Sequence, residues 1–217
     1  MTLADILALL SGAATTVGLS LAGIGFGLPL GLGLALLRAA RVPVVAQGVA
    51  TYVSAVRAAP ILTLALFVFF VLPGAGVELA PVPAAILTLA LNTAAFDCEI
   101  FRAALDAFPR DQLEAADACG MRPILRFRRI VLPQLWRASL GPLVSEMTIV
   151  LKGTPAVAVI GVVEITRVAA RVGAQTYEPL PPFLVATLLY TALIAVLVRG
   201  QRFAERAMAR RYGYATP

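Results

Sequence analysis

Long charge-free apolar stretches, and not short alternating ones, organise this chain. Residues 6–37 carry no charge, which is more than the ~20 residues of a membrane helix. The first part, to about Ser11, reads as interfacial, leaving a span over 15–37 that ends at Arg38 and Arg41. A second span is expected over 58–77, closed by Leu72-Pro73-Gly74, and a third over 83–104, with Asp97, Glu99 and Arg102 in its last turns. A fourth, over 139–160, carries Glu146 and Lys152, and a fifth covers 182–198. Apolar runs such as 61–72 and 183–198 lack the period-2 pattern of a membrane β-barrel. The expected fold is all-α and polytopic, with about five transmembrane helices.

Composition supports this. The chain of 217 residues is 60% hydrophobic and 14% charged, with a mean hydropathy of +0.89. Soluble domains are nearer half apolar and a quarter charged, and disordered chains are poorer still in apolar residues. The N-terminus holds Asp5 and no basic segment, so it does not read as a cleaved signal peptide, and the first hydrophobic segment is expected to stay. There is no histidine, which removes the commonest metal ligand and general base. Cys98 and Cys119 lie too far apart for a CxxC pattern and read as inert small residues.

The net charge of +6 would point to nucleic acid in a soluble protein; here it reports topology, and no nucleic-acid partner is expected. Arg38, Arg41 and Arg57 lie between spans one and two. Arg102, Arg110, Arg122, Arg126, Arg128, Arg129 and Arg137 lie around the connection from three to four, and Arg199, Arg202, Arg206, Arg210 and Arg211 follow span five. The opposite side has Glu78 and no basic residue after span two, then Arg167 and Arg171 after span four. The positive-inside rule places the N-terminus outside, the C-terminus in the cytoplasm and the loop 106–137 inside. Gly23, Gly27 and Gly31 recur every four residues in the first span, a ridge that fits either packing within the chain or a dimer face. Pro29 is expected to kink that helix.

The loop 106–137 is the richest segment. Asp111 and Glu114 have capping-box spacing, Ala115, Ala116 and Ala118 favour helix, and Gly120 followed by Pro123 should end it. The result is a helix of about eight residues, roughly 12 Å long. A second helical stretch should carry Arg122, Arg126 and Arg129 on one stripe, with Ile124, Phe127 and Ile130 opposite, and run to Leu132-Pro133-Gln134. By charge alone the loop fits a polar segment lying on anionic headgroups. As a short rigid knob it also fits a contact for a soluble partner.

Glu114-Ala115-Ala116-Asp117-Ala118-Cys119-Gly120-Met121, followed by Phe127-Arg128-Arg129-Ile130-Val131-Leu132-Pro133-Gln134, resembles the EAA motif of ABC-importer permease subunits. The resemblance is closest to the polar amino-acid uptake branch (histidine, arginine, glutamine, cystine and opine permeases). Glu99-Ile100-Phe101-Arg102-Ala103, Ser145-Glu146, Leu151-Lys152-Gly153-Thr154, the segment 160–167 and Gln175-Thr176-Tyr177-Glu178-Pro179 extend it over most of the chain. It implies one transmembrane permease domain over 1–217 with a type I ABC importer fold, in the bacterial inner (plasma) membrane. It implies ABC ATPase subunits, a second permease subunit of the same or a related chain, a periplasmic solute-binding protein and the lipid bilayer as partners. Glu114, Ala115, Ala116 and Gly120 match the coupling helix that docks on the ATPase. This chain would hold no cofactor, the partner ATPase binding ATP, and would be no enzyme. Departures stand at Arg57-Ala58-Ala59-Pro60 (usually Arg-Gly-Thr-Pro), at Thr154-Pro155, Ser145 and Phe96. They lie away from the coupling loop and bear on the solute.

Ionisable residues at membrane depth are functional candidates because burying them unpaired is costly. Arg57 and Glu99 should both lie near the cytoplasmic face, as a structural ion pair or as part of the substrate pathway; Glu99 and Arg102 are spaced as a local helical pair. Glu146 and Lys152 are the better pathway candidates, offering a carboxylate and an ammonium to a zwitterion, with polar helix packing as the alternative. The expected function is the permease subunit of an ATP-driven importer of a polar amino acid or related small solute. A membrane scaffold that only recruits a soluble protein is the alternative. No Walker A loop occurs, so ATP hydrolysis in this chain is excluded, and five spans without an evident internal repeat disfavour a secondary transporter.

Overall fold

The computed structural model describes residues 1–40 and 42–212, with side chains through Arg206. Arg41 lies outside the described residues, and Arg210 and Arg211 lie beyond the last described side chain. All regular structure among the described residues is helical. Among the described residues, four helices are long and apolar enough to cross a membrane, and five spans result when one bent helix pair counts as one.

α1 covers Leu3–Ala39 without a break, through Pro29. At 1.5 Å per residue it is about 55 Å long, against a hydrocarbon core of about 30 Å. A capping box starts it: the Asp5 amide donates to Thr2 Oγ1 at 3.3 Å, and the Thr2 amide donates to Asp5 Oδ2 at 2.6 Å. The expected interfacial piece up to Ser11 is therefore no separate segment. Leu9 is fully buried against Ile165 and Val168, part of a cluster that ties the start of α1 to α8 (Ile165–Thr176) and α9 (Leu180–Tyr212).

The second span is a bent pair. α2 (Pro43–Ala58) and the helix Ile61–Ala75 meet at 111°. Pro60 has no amide hydrogen to continue α2 and forces the preceding residue out of the helical region; Ala59 accordingly has ψ 133°. The expected span over 58–77 thus starts later, at Ile61, and a helix that the expected spans did not include precedes it. α2 buries Val49, Val53 and Val56.

Two π-helical turns have one cause. α3 (Ile61–Leu66) runs into a π turn at Phe67–Val71, and α6 (Pro123–Arg126) runs into another at Phe127–Val131. Both turns end in Val-Leu-Pro. The prolines, Pro73 and Pro133, cannot donate, and a wider turn lets Leu72 and Leu132 bond back to Phe67 and Phe127. Around Pro73 the helix ends in a short 3-10 turn, Leu72–Ala75, capped by Gly76 at φ +83°. After Pro133 it continues as α7 (Leu132–Val157), so the stretch Pro123–Ile160 is one long helix. The expected cytoplasmic helix and the expected fourth span over 139–160 are parts of it.

α4 (Pro81–Asp106) is the central element. Gly23 and Gly27 let α1 lie directly on it: a Cβ added at Gly27 would sit 2.6 Å from Thr93 Cβ and 2.8 Å from the Ala90 carbonyl oxygen. The glycine ridge therefore serves packing within the chain. One core joins α1, α3, α4 and α7 through Leu19, Val68, Leu89 and Val150. Another joins α1, α2, α4 and α7 through Ala35, Val53, Phe101 and Leu135. Cys98 is buried in that second core, Cys119 is exposed, and both are free.

Candidate functional site

α5 (Arg110–Ala118) is the short helix expected in the loop. Its cap differs from expectation. Pro109 is the N-cap and offers no side-chain bond, so Asp111 lies in the first turn and Glu114 is exposed without a capping role. The far end follows the sequence closely. Gly120 has φ +69°, the Gly120 amide bonds the Asp117 carbonyl at 2.9 Å, and the Met121 amide bonds the Ala116 carbonyl at 3.1 Å. This is a Schellman end, which calls for glycine at the left-handed position. Ala116 is buried and Ala115 exposed, so one alanine seats the helix on the protein and the other faces out. Two links hold α5 to the long helix: Arg126 pairs with Asp117, and Gln134 Nε2 donates to Gln112 Oε1 at 2.7 Å.

Inside the bundle, Asp97 on α4 and Glu146 on α7 are 2% and 4% exposed. The two helices share one buried core. Neither accepts a hydrogen bond among the described residues, and Glu146 Oε1 is buried without any partner, as are Thr93 Oγ1 and Ser139 Oγ. Such groups carry a large desolvation cost unless something pairs with them.

Lys152, the only lysine, does not share that interior. It is six positions from Glu146, about 240° around a helix of 3.6 residues per turn, and it is exposed. With Ala138, Pro142, Ser145 and Ile149 it forms an exposed stripe along α7. Glu146 and Lys152 thus flank different sides of one helix and do not converge.

At the other end of α4, Glu99 gathers the arginines. Arg38 bonds Oε1. Arg102 donates to Oε2 from Nε at 3.0 Å and from Nη2 at 2.8 Å, and from Nη1 to Asp106 at 2.6 Å. The expected Arg57–Glu99 pair is the loosest contact, at 4.0 Å. Sequence spacing paired Glu99 with Arg57 because both lie near one face; the long α1 brings Arg38 closer. Arg57 lies over the Phe96 ring, 5.2 Å from its centroid, beside a hollow of about 540 Å³ lined also by Glu99, Arg102, Ala138 and Pro142.

A buried polar knot at the opposite end of the bundle was missed. Glu164, fully buried, caps α8 by accepting from the Thr166 and Arg167 amides at 2.9 and 2.6 Å. Tyr190 Oη donates to Glu164 Oε2 at 2.8 Å and lies 3.3 Å from Thr154 Oγ1. The signal was available: Ile165, Val168, Ala169, Val172 and Gly173, all buried, have the i, i+3, i+4, i+7 spacing of a helix face.

Residues 27–210 match the family model described as the binding-protein-dependent transport system inner membrane component. The octopine transport system permease protein OccM of Rhizobium meliloti is 33% identical, over 94% of this chain and 90% of that protein. The L-cystine transport system permease protein TcyB of Bacillus subtilis is 32% identical, over 90% and 84%. The arginine ABC transporter permease protein ArtQ of Haemophilus influenzae is 31% identical, over 95% and 96%. A crystal structure of an amino acid ABC transporter with histidines matches at a TM-score of 0.85 and 26% identity, covering 95% of this chain and 100% of the other. The MetNI methionine ABC transporter shares the fold, at a TM-score of 0.79 and 20% identity. The five-span helical bundle with its short capped helix therefore belongs to the family of binding-protein-dependent transport system inner membrane components, as the multi-pass permease subunit of an ABC importer.

Proposed function

We propose that the chain imports a polar amino acid or an opine, taking the solute's cationic group between Asp97 and Glu146. The observation that carries this is the buried Glu146 Oε1 with no partner, beside a second buried carboxyl. An unpaired carboxylate inside a membrane bundle favours a cationic ligand. Relatives named for octopine, cystine and arginine point to the same solute class. Glu146 is shielded in this conformation, so the solute reaches it when the helices around α7 shift. A second permease copy or related chain would close the exposed stripe of α7, from Ala138 to Lys152, into a route.

The motive force comes from outside the chain. Glu114, Ala115 and Gly120 on or beside α5 form the surface that meets the ATPase, with buried Ala116 seating the helix beneath it; the ATPase binds ATP, and this chain does no bond chemistry and holds no cofactor. ATPase closure moves α5, and the links to Arg126 and Gln134 carry that movement into α7, a rigid-body switch. The arginine-rich side is cytoplasmic, and α8 faces the solute-binding protein. The test is uptake by the reconstituted complex with its ATPase and binding protein, across the twenty amino acids, cystine and octopine. Transport of at least one, lost or strongly weakened in Glu146→Gln with assembly intact, is the expected result. Unchanged transport by Glu146→Gln overturns the assignment of Glu146.

A further inference from the structure

We propose that Arg57 receives the carboxylate of the solute, so that Arg57 and Glu146 form a two-point site for a zwitterion. This rests on the amino-acid reading above.

Three arginines surround one carboxylate at this end of the bundle, and only two are used. Arg38 occupies Glu99 Oε1, and Arg102 places two N–H groups on Oε2. Arg57 Nη1 is left 4.0 Å from Oε2, beyond the 2.7–3.2 Å of an N–H···O bond. Arg57 makes no hydrogen bond among the described residues. It is held in place all the same: the guanidinium lies over the Phe96 ring at 5.2 Å, where a cation is attracted to the ring face. A guanidinium held by stacking keeps its planar fork of donors free, and that fork matches a carboxylate.

The surroundings fit a ligand of this size. The side chain of Arg57 is 43% exposed and borders the hollow of about 540 Å³, within the ~300–1,000 Å³ of small-molecule pockets. Phe96, Ala138 and Pro142 form its apolar wall. Glu146 lies one turn along α7 from Pro142 of that wall and is shielded from the hollow in this conformation, so the shift of α7 that uncovers it would set the two ends of a zwitterion against opposite charges. Lys152 cannot replace Arg57, because it lies about 15 Å along α7 from Pro142, at 1.5 Å per residue. Position adds a means of release. Arg57 is in the last turn of α2, next to the 111° bend at Pro60. A change in that bend moves the guanidinium relative to α7.

The experiment uses the purified permease–ATPase complex in nanodiscs. The twenty amino acids, cystine and octopine are screened by uptake, and the best-transported one is tested for equilibrium binding against its methyl ester, which keeps the cationic group and blocks the carboxylate. Wild type should prefer the free acid by at least about tenfold, the size of a charge-assisted hydrogen bond. Arg57→Gln should bring the two ligands to equal affinity, whereas Glu146→Gln should weaken both together. Should Arg57→Gln fail to assemble, Arg57→Lys reads the same ratio, and a lower ratio than wild type supports the assignment. A preference for the free acid unchanged in both Arg57 variants overturns this inference and leaves the amino-acid reading standing. If none of the twenty amino acids, cystine or octopine is transported, the reading beneath it fails as well.

Discussion

Gln134 Nε2 donates to Gln112 Oε1 at 2.7 Å, joining the exposed helix α5 to the first turns of the 38-residue helix Pro123–Ile160. This neutral bond and the Arg126–Asp117 pair are the side-chain struts between α5 and that helix among the described residues. A net hydrogen bond contributes about 0.5–1.5 kcal/mol. Gln112→Leu should therefore loosen the strut without unfolding the bundle. The expected outcome is a several-fold drop in solute moved per ATP, with ATPase recruitment kept, measured on reconstituted complexes. A wild-type ratio would show that the strut carries no force.

Gly120 gives a sharper test. It has φ +69°, and nothing lies within 4 Å of the place a Cβ would take. Substitution there acts on the backbone alone, at least before the partner docks. Gly120→Val should cost about 1–3 kcal/mol through strain, distort the end of α5 and uncouple transport from ATP hydrolysis. Gly120→Asn should retain most coupling, because asparagine tolerates the left-handed region. Equal losses in both variants would move the explanation from backbone conformation to side-chain bulk in the docked interface.

Sequence reasoning reached the spans and the loop by different routes, and missed for identifiable reasons. Charge-free length revealed α4 and α9 because one is packed among other helices and the other faces outward, and both are apolar around most of their surface. It hid α2 and α8, whose apolar stripes are only one face wide: Val49, Val53 and Val56 in one, Ile165 to Gly173 in the other. The Gly120 turn was legible because a left-handed helix end demands glycine locally. The Asp111–Glu114 box had the right spacing, yet Pro109 started the helix two residues early. Pairings across helices were not legible. Glu99 binds Arg38 because α1 is long enough to bring it there, and Glu146 and Lys152 separate because six positions on a helix are far from a full number of turns.

The glycine ridge predicts a contrast within one helix. Gly27→Ala would place its Cβ 2.6 Å from Thr93 Cβ and 2.8 Å from the Ala90 carbonyl oxygen, while Gly25→Ala meets nothing within 4 Å. Overpacking costs about 1–3 kcal/mol, and alanine in an open helical position gains up to about 1 kcal/mol over glycine. Thermal stability of the detergent-purified complex should fall for Gly27→Ala and hold or rise for Gly25→Ala. The reverse order would place the α1–α4 contact elsewhere.

The arginine asymmetry predicts the topology, and the chain has a built-in reporter of it. Cys119 is exposed at the end of α5 and Cys98 is fully buried. An impermeant thiol reagent should label Cys119 in inside-out vesicles and spare it in whole cells. Gly74→Cys, in a chain with both native cysteines replaced by alanine, should give the opposite pattern. Labelling of both sites from one side would remove the five-span arrangement.

Glu164 carries the last prediction. A fully buried carboxylate is tolerated here because the Thr166 and Arg167 amides and Tyr190 Oη all donate to it. The cap fixes the start of α8, and the tyrosine ties that start to α9 and, through Thr154, to α7. Glu164→Ala removes a cap worth about 0.5–2 kcal/mol and also takes the carboxylate acceptor from Tyr190, whose hydroxyl is left to the Thr154 and Thr166 hydroxyls, a further loss of about 0.5–1.5 kcal/mol. Tyr190→Phe removes the hydroxyl and keeps the cap, so it should be the milder change. Glu164→Gln keeps one acceptor oxygen for the amides and should fall between them. Thermal unfolding of the purified complex should rank the variants Tyr190→Phe, Glu164→Gln, Glu164→Ala from most to least stable. If Tyr190→Phe proved the worst of the three, the aromatic hydroxyl and not the cap would be what holds α8 in place.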